Sequence, residues 1–440
     1  MSTHNKAGCY EETVTYLYRL RNSGTKFGLQ NIQALSELLG NPDTHYRTIH
    51  IAGTNGKGST STMISSILKE SGLKVGLFLS PHLSSFTERI SVNGTTISEE
   101  EVVELAAFVK DLIAKQMPSL NPTFFEFVTA LAFYYFSLHH VDYGVIETGM
   151  GGRLDATNIV NPVVSVITNI SMDHMDYLGT TQEAVAFEKA GIIKPATDLV
   201  TGVSRDVLPV IQKAAQTKNA PVHLYGKDFS AFAHNQKNGF FRYEGYTAYD
   251  NLYVSLYGNH QIDNAALSVR VCEILQQKWL LPGTAQIHTG LAKTKISGRV
   301  EILSRRPLIV LDGAHNPESI KVVVATVQSL FPEKNVIVVA GIMEDKDIAG
   351  TLEPLFKIAR LFILTRPEGQ RAAHPEAIVK RMNINPSERV KLTHSIAEAL
   401  KMALSLQNKD DLILVTGSFY VAGEARTILR GNGILAGLRE

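Results

Sequence analysis

The segment GTNGKGST, from Gly53 to Thr60, carries residue types that hold phosphate groups. An apolar stretch precedes it and an amphipathic stretch follows it, which predicts a strand, a turn and a helix. The unpaired backbone N–H groups and the dipole at the start of such a helix favour an anion. Lys57 supplies a cation for terminal phosphates, and the hydroxyl of Ser59 can hold Mg²⁺. The segment therefore predicts a phosphate-binding loop in preference to a plain glycine-rich turn.

The spacing within this loop is unusual. We expect Gly53, Gly56 and Gly58 to let the main chain approach phosphate oxygens closely and to adopt positive φ. In the common pattern G-x-x-x-x-G-K-[ST], the first glycine lies six residues before the lysine, and Ser or Thr follows the lysine directly. Here Ile51 lies six residues before Lys57, and Gly58 follows it. The loop thus keeps the chemistry of phosphate binding but departs from the usual nucleotide-binding pattern.

Two further groups suited to metals follow apolar stretches. Glu147 ends one such stretch and precedes a cluster of glycines, and His174 with Asp173 follows the next. In open α/β sheets, ligands bind beyond the carboxyl ends of the strands, so a carboxylate there suits a metal that faces phosphates. The alternatives are a loop acid that caps a helix and a histidine with a structural role.

Other polar residues have both a functional and a structural interpretation. Lys189 and Lys194, in FEKAGIIKP, are either functional or solvated helix lysines. Asn264 is expected to open a helix and could be only a polar residue at its end. Arg299 carries a fixed charge that suits phosphate.

Three more segments complete the candidate residues. Asp312 and His315 lie at the end of a predicted strand, in DGAHNP, where an ordinary turn is the alternative. Ser418 lies in VTGSFYVAGEAR. The segments LSPHLSSFTERISVNG and TFFEFVTALAF carry the polar residues His82, Arg89 and Glu126 and the aromatic residue Phe124. Phe124 could equally be a core residue.

The elements that must position these residues alternate between strand and helix. Short apolar strands such as VDYGVIET and PVVSVITNI read as buried and parallel, and helices separate them. The residues from His223 to Leu256 are aromatic and turn-rich, with KNGF as a hairpin candidate, and predict a small antiparallel patch. The segment LAKTKISGRVEIL reads as a connector, and a second alternation begins near Arg299.

The predicted fold is therefore α/β. We expect an N-terminal doubly wound domain, similar to phosphate-loop ATPases and carrying the antiparallel patch, and a smaller C-terminal Rossmann-like domain. The boundary falls at 295–298, which gives domains of residues 1–296 and 297–440.

Composition narrows the class of protein. The chain has 440 residues with a net charge of +1, which gives no overall electrostatic case for nucleic acid or an anionic membrane. Cys9 and Cys272 are far apart, so a disulfide framework is not expected and a reducing compartment is favoured. The N-terminus lacks the pattern of a secretory signal, and no long apolar stretch predicts a membrane span. We therefore expect a cytoplasmic protein, and a monomer.

The motifs together resemble one known family. GTNGKGS is similar to the ATP loop of the Mur ligase superfamily, G-T-[NK]-G-K-[GT]-[ST], and especially to that of folylpolyglutamate synthases and dihydrofolate synthases. ETGMGGRLDATN, DHMDYLG, FEKAGIIKP, HQIDNA, DGAHNP and TGSFYVAGEAR follow in the order of that family, over about residues 10–430. One small departure is Ser297, where the family usually has proline before Gly-Arg.

The resemblance assigns roles to the candidate residues. Lys57, Lys189 and His315 are implied as catalytic. The residues implied in ATP binding are Gly53, Thr54, Asn55, Gly56, Lys57, Gly58, Ser59, Thr60, Asn264, Arg299, Asp312 and His315. Those implied for Mg²⁺ are Ser59, Glu147, His174 and Lys189 as a carbamate. The segments LSPHLSSFTERISVNG and TFFEFVTALAF resemble the family's pterin-side segments, which implies that His82, Arg89, Phe124 and Glu126 line a site for the flat aromatic ring of folate. Ser418 is implied for glutamate.

The activity implied is ATP-dependent addition of L-glutamate to folates through an acyl phosphate, with dihydropteroate as a second acceptor. The implied cofactors are ATP and Mg²⁺ at two sites, and the family also allows a monovalent cation. A dihydrofolate synthase alone, another Mur-type amino-acid ligase and a non-enzymatic nucleotide switch are the alternatives. The 52 residues before the loop are fewer than we expect for the UDP-binding domain of cell-wall ligases.

Overall fold

The computed structural model describes residues 3–20, 28–234, 239–279, 281–369 and 371–431. The chain forms two compact units. Unit 1 comprises Met1–Ser255 and Gln261–Thr294, and unit 2 comprises Leu256–His260 and Lys295–Glu440.

Unit 1 alternates strands and helices along most of its length. Its helices are α1 (Thr3–Arg19), α2 (Gln30–Leu38), α3 (Lys57–Glu70), α4 (Glu99–Gln116), α5 (Phe124–Leu138), α6 (Met175–Leu178), α7 (Gln182–Ala190), α8 (Leu208–Thr217), α9 (Asn259–Trp279, which begins in the short segment of unit 2) and α10 (Thr284–Lys293). Its strands are β1 (Arg47–Ala52), β2 (Val75–Phe78), β3 (Ile90–Val92), β4 (Thr95–Thr96), β5 (Tyr143–Glu147), β6 (Val164–Ile167), β7 (Asp198–Thr201), β8 (Val222–Leu224), β9 (Ser230–Ala233), β10 (Phe240–Glu244) and β11 (Ala248–Tyr253).

The main sheet of unit 1 has the order β4-β3-β2-β5-β1-β6-β7-β8 within the described residues. The strands from β2 to β8 in this order run parallel, as predicted, while β3 and β4 add an antiparallel edge that the sequence did not predict. The strand β1 lies between β5 and β6, and the chain leaves it in one direction for β2 and later returns on its other side. This is a topological switch point, where open α/β sheets bind ligands beyond the carboxyl ends of the strands.

The aromatic region forms the small antiparallel sheet that was predicted. Its order is β11-β10-β9. Of the hairpin candidate KNGF, Lys237 and Asn238 lie outside the described residues, while Gly239 has a φ of 80° and precedes β10.

Unit 2 is a second α/β layer. Its helices are α11 (Pro317–Leu330), α12 (Ile348–Ile358), α13 (Pro375–Met382), α14 (Ile396–Leu406) and α15 (Phe419–Gly431). Its strands are β12 (Glu301–Arg305), β13 (Leu308–Leu311), β14 (Asn335–Ala340), β15 (Ala359–Leu364), β16 (Val390–Leu392) and β17 (Asp411–Thr416), in the sheet order β12-β13-β17-β14-β15-β16. Only β12 runs antiparallel to its neighbour among these strands.

Three local predictions were wrong. Residues 291–293, interpreted as part of a connector, end helix α10, whose Gly290 packs directly on Ile67 of α3. Asn264 does not open a helix, because α9 begins at Asn259. Gly58 has no positive φ, because it already lies in the first turn of α3.

The parallel strands are buried on both faces, which explains why their sequences are short apolar runs without alternating polar residues. The five residues of β5 and the six of β17 are all buried. Separate apolar clusters cover the faces of each sheet, so each unit has its own core. Among the described residues, no helix is both long and apolar enough to cross a membrane.

Candidate active site

The glycine-rich loop joins β1 to α3 at the switch point of the main sheet. Gly53 has a φ of 148° and Gly56 a φ of 84°, so both need the freedom of glycine. A side chain at Gly53 would collide with the hydroxyl of Thr168, and one at Gly56 would collide with the amide oxygen of Asn264. The loop is therefore held between the end of β6 on one side and helix α9 on the other.

Polar groups that follow β6 fix the path of this loop. The hydroxyl of Thr168 donates to the carbonyl of Asn55 at 2.6 Å, and the backbone N–H of Asn55 donates to the side-chain oxygen of Asn169 at 2.9 Å. The hydroxyl of Thr54 donates to the carbonyl of Ser171 at 3.0 Å. Sequence reasoning missed Thr168 and Asn169. Their only signal was a run of small polar side chains at the end of a buried strand.

Two lysines converge on one carbonyl oxygen of the loop. Lys57 Nζ donates to the carbonyl of Gly53 at 3.0 Å, and Lys189 Nζ donates to the same oxygen at 2.8 Å. Lys189 is only 4% exposed, so it is not a solvated helix lysine. Burial, and then the charge of Lys57, lowers the pKa of Lys189 to about 7. Two amines this close favour an anion beside the loop, or a neutral form of Lys189.

The start of α3 carries three buried hydroxyl groups. The side-chain oxygens of Ser59, Thr60 and Ser61 are buried and make no hydrogen bond among the described residues. Buried polar atoms normally have a partner, because leaving one unsatisfied costs about 1–3 kcal/mol. A ligand at the helix N-terminus would supply partners, and Ser59 is the hydroxyl that the loop chemistry assigns to a cation.

Glu147 ends β5 and His174 follows β6, and these two strands are the neighbours of β1 in the sheet. Glu147 pairs in register with Ile51 of β1, is 4% exposed, and accepts a hydrogen bond from the backbone N–H of Ser80 at 3.0 Å. His174 has a left-handed backbone, with a φ of 51°, and precedes α6. No group of three or more His, Cys, Asp and Glu side chains suited to a metal occurs in the described part of the chain. The oxygens of Ser59 and Glu147 are nevertheless the hard donors that Mg²⁺ prefers.

The glycine cluster after Glu147 brings α7 close to the sheet. A side chain at Gly152 would press on the carbonyl oxygens of Glu188 and Lys189, at 2.9 and 3.0 Å. Asp155 fixes this loop, since its carboxylate accepts hydrogen bonds from the backbone N–H of Met150 and the hydroxyl of Thr157. The cluster thereby sets the position of Lys189. Lys194 donates to the backbone carbonyl of Asn158, the residue that follows Thr157 in the same segment.

Three of the four residues predicted for a flat aromatic ligand lie together. Arg89 donates to His82 at 2.8 Å, and its guanidinium lies 5.3 Å from the centre of the Phe124 ring. Tyr18, which sequence reasoning missed, contacts both His82 and Phe124. Glu126 is 4% exposed and caps α5, with the backbone N–H of Thr123 donating to its carboxylate at 2.6 Å.

The predicted residues of unit 2 gather at the carboxyl ends of β13 and β17. The Asp312 carboxylate accepts from the backbone N–H groups of Val300 and Ala314, at 2.8 and 2.7 Å, and burial raises its pKa. It thus holds the backbone next to Arg299, whose guanidinium lies 4.5 Å from the centre of the Phe419 ring. Phe419 was not predicted.

His315 and Ser418 belong to the same part of unit 2. The His315 ring lies 5.9 Å from the Phe419 ring, and its Nδ1 is 3.0 Å from the carbonyl oxygen of Gly313. The Ser418 hydroxyl accepts from the backbone N–H of Val421 in the first turn of α15.

Comparisons with known proteins cover nearly the whole chain. The Mur ligase middle domain matches residues 51–272, and the Mur ligase glutamate ligase domain matches residues 298–419. The folylpolyglutamate synthase of Lacticaseibacillus casei is 36% identical over 431 residues, which is 96% of this chain and 99% of the relative. The dihydrofolate synthase/folylpolyglutamate synthase of Bacillus subtilis is 35% identical over 429 residues, with coverage of 96% and 99%.

Solved structures of folylpolyglutamate synthases have the same fold as this chain. The Mycobacterium tuberculosis folylpolyglutamate synthase complexed with ADP has a TM-score of 0.89 and 31% identity, covering 96% of this chain and 99% of that chain. Escherichia coli FolC in complex with DHPP and ADP has a TM-score of 0.86 and 29% identity, covering 96% and 98%.

Proposed function

The chain belongs to the folylpolyglutamate synthase and dihydrofolate synthase family of Mur ligases, whose members are ATP-dependent amide ligases, and we propose that it joins L-glutamate both to reduced folates and to dihydropteroate. The observation that carries the site assignment is the convergence of Lys57 and Lys189 on the carbonyl of Gly53. The Lys57 ammonium at a helix N-terminus suits a ligand with dense negative charge, such as a triphosphate, and the neutral form of Lys189 beside it is the form that can accept CO₂.

The reaction divides into two balanced steps. An oxygen of the acceptor carboxylate attacks the γ-phosphorus of ATP, the bond to the β-phosphate oxygen breaks, and ADP leaves. The α-amine of glutamate then attacks the carbonyl carbon of the resulting acyl phosphate. The amide C–N bond forms, the C–O bond to phosphate breaks, and inorganic phosphate leaves with one oxygen from the original carboxylate.

The residues of the chain position these groups and stabilise charge. The loop N–H groups and Lys57 hold the phosphates, while Asn264 fixes the loop through Gly56. In unit 2 we assign Arg299 and His315 to the charged reacting groups and Ser418 to glutamate. Asp312 acts by holding the backbone next to Arg299. Positioning and charge stabilisation of this kind account for most catalysis of phosphoryl transfer.

Mg²⁺ fits the residues beside the loop. We assign it to Ser59, whose hydroxyl has no hydrogen-bond partner among the described residues, together with Glu147, His174 and a carbamylated Lys189. When bound, the metal would neutralise phosphate charge. Carbamylation forms an N–C bond between the neutral Lys189 amine and CO₂ and releases a proton. The buried amine, with its lowered pKa, supports that step.

The carbamate has a direct test. We expect Lys189→Ala to lose activity, short carboxylates to restore part of it, and Lys189→Arg to stay inactive in their presence. A carbamate carbon signal should appear in wild-type protein incubated with ¹³C-bicarbonate, and not in either variant. An active Lys189→Ala enzyme without added carboxylate contradicts the assignment.

Acceptor choice is tested by mass spectrometry of the products. Purified protein with ATP, Mg²⁺ and L-glutamate is given tetrahydrofolate, dihydropteroate or a UDP-linked cell-wall precursor in separate reactions. We expect one added glutamyl residue on each of the first two and none on the third. Product from dihydropteroate alone would restrict the activity to dihydrofolate synthesis, and product from the UDP precursor would contradict the proposal.

A further inference from the structure

Arg299 lies in a turn whose backbone is strained. The next residue, Val300, has a φ of 45° and is only 1% exposed. A β-branched residue rarely adopts this left-handed conformation, which persists only where the surrounding contacts enforce it. The preceding residue, Gly298, has a φ of 68°, which glycine adopts without strain. The direction of Arg299 is therefore set by the contacts of this turn and not by local backbone preference.

Two carboxylates hold the backbone of the turn. Asp312 accepts a hydrogen bond from the N–H of Val300 at 2.8 Å. Glu301, the first residue of β12, accepts one from the N–H of Gly298 at 2.9 Å. Arg299 thus lies between two peptide groups that are each fixed by a carboxylate.

Helix α15 of the same unit holds the turn through Arg426. Nη2 of this arginine donates to the hydroxyl oxygen of Ser297 at 3.0 Å, and its Nε donates to Oε1 of Glu301 at 3.2 Å. The side chains of this ion pair are only 14% and 16% exposed, so solvent screens the pair less than it screens a surface pair. Helix α15 also begins with Phe419, whose ring centre lies 4.5 Å from the guanidinium of Arg299. One helix therefore holds both the turn and the ring beside which Arg299 lies.

Ser297 is the small departure of this chain from the family pattern, which usually has proline before Gly-Arg. A proline ring would fix φ at this position. Serine leaves φ free and needs another group to hold the turn. The hydrogen bond from Arg426 is such a group.

We propose that Arg426 and Ser297 are positioning residues for Arg299. Their hydrogen bond keeps the turn in its strained form, and this form holds the guanidinium of Arg299 beside Phe419. Without the bond, Val300 can relax to a negative φ, and the guanidinium moves with it. The inference rests on the proposed function, which assigns Arg299 to the charged reacting groups.

The same helix provides a matched control. Arg430 lies one turn after Arg426, and its Nη2 donates to the same Oε1 of Glu301 at 3.2 Å. Its side chain is 54% exposed, and within the described part of the chain it makes no hydrogen bond to Ser297. Its replacement removes an ion pair of Glu301 and leaves the bond between Arg426 and Ser297 in place.

The test is a double-mutant cycle on the affinity for a non-hydrolysable ATP analogue, measured by titration calorimetry. We expect Arg299→Ala to weaken binding at least about tenfold, because a hydrogen bond to a charged group is lost. Ser297→Ala and Arg426→Gln should each weaken it about 3- to 10-fold. In the Arg299→Ala background neither change should weaken binding further, because both act through Arg299. Arg430→Gln should bind as wild type does, and all variants should keep the wild-type melting temperature to within a few degrees.

Four outcomes would overturn the inference. Additive losses in the double variants would show that Ser297 and Arg426 support the fold in general. Wild-type affinity in Ser297→Ala and Arg426→Gln, or in Arg299→Ala, would show that the turn does not direct a ligand-binding guanidinium. An equal loss in Arg430→Gln would show that any ion pair of Glu301 has the same effect. Failure of the proposed function appears in the wild-type protein itself, which would then form no glutamyl product from either acceptor.

Discussion

The carbonyl oxygen of Gly53 accepts hydrogen bonds from two lysines that are far apart in the chain, Lys57 and Lys189. Lys57 belongs to the loop itself and also donates to the carbonyl of Thr54 at 3.2 Å. Lys189 arrives from α7, and Gly152 allows that helix to come close enough. At the scale of single residues, two amines therefore meet at one backbone oxygen. In the proposed function, Lys57 exchanges that partner for phosphate, and Lys189, with its pKa lowered to about 7, becomes the carbamate.

Removing the loop cation should abolish activity and leave the fold intact. We expect Lys57→Ala to lower the rate of glutamate-dependent ATP hydrolysis by at least about 100-fold, comparable with the loss of one strong transition-state donor. Lys69→Ala, which removes an exposed lysine from the other end of α3, is the matched control and should retain full activity. Near-normal activity in Lys57→Ala would exclude the assigned role of this residue.

The sequence predicted some of these residues better than others. Lys57 and Ser59 are adjacent to the glycines, so local pattern was sufficient. The contact of Lys189 with Gly53 and that of Tyr18 with His82 join residues 136 and 64 positions apart, and only the folded chain brings them together. Local pattern contains no information about such pairs, and the interpretation of Lys189 came from the family resemblance alone.

At the scale of the elements, β1 and the turn that follows it determine the geometry of the glycine-rich loop. The loop is pinned by groups after β6 and by α9, because β6 is the neighbour of β1 in the sheet. The positive φ of Gly53 and Gly56 sets the N–H groups at the start of α3. The shape of the phosphate site is thus determined by strand order as much as by the loop sequence.

A substitution at Gly53 tests this packing. Gly53→Ala would force its methyl group into Thr168, which also donates to the carbonyl of Asn55. We expect ATP affinity to fall at least about tenfold, because the loop must shift. The control is Gly72→Ala. Gly72 also has a positive φ, of 79°, but a methyl group there meets nothing within 4 Å.

The control should lose about 1–2 kcal/mol of stability from backbone strain and keep its ATP affinity. Titration calorimetry with a non-hydrolysable ATP analogue measures both variants. Equal affinity in Gly53→Ala and wild type would show that the loop does not depend on this close approach.

His50, in the middle of β1, makes the stability of this strand depend on pH. Its side chain is fully buried with Nε2 2.8 Å from the hydroxyl of Thr157, and burial, then the charge of Lys194, lowers its pKa from 6.5 to about 3. Between these two pH values the unfolded chain binds a proton that the folded chain does not. The free energy of unfolding therefore falls as the pH decreases, by up to about 1.4 kcal/mol per pH unit from this site.

We expect His50→Gln to flatten this dependence. Hydrogen exchange of peptides covering β1 between pH 4 and 6 gives the opening free energy at each pH. The wild type should lose stability more steeply than His50→Gln, by about one proton, while the exposed His45→Gln control should behave as wild type. Parallel curves for wild type and His50→Gln would contradict the buried neutral histidine.

At the scale of the whole molecule, the chain consists of two α/β units, each with its own core. The long, buried central strands and most helices could be predicted from hydrophobic period. The outer strands β3, β4, β12 and β16 were not predicted. β3, β4 and β16 have only two or three residues, and β12 has no fully buried residue, so these strands carry little hydrophobic pattern. Helix α10 was missed because the prediction joined its last turn to the segment that follows.

The net charge of +1 is the sum of 43 basic and 42 acidic side chains, so it does not predict the local charge around Gly53. Function here depends on where a few cations are placed. The proposed division of labour gives unit 1 the triphosphate and the pteridine, and gives unit 2 the residues around Arg299, His315 and Ser418. The roles proposed for the residues of both units depend on one chemical claim. This claim is that the acceptor carboxylate is activated by phosphoryl transfer.

Isotope transfer tests that claim most directly. The acceptor, labelled with ¹⁸O in its reacting carboxylate, is incubated with the enzyme, ATP, Mg²⁺ and L-glutamate, and the released nucleotide and phosphate are analysed by mass spectrometry. We predict ADP and one ¹⁸O atom in each inorganic phosphate released. Unlabelled phosphate, or ¹⁸O in AMP with release of pyrophosphate, would contradict the acyl-phosphate route.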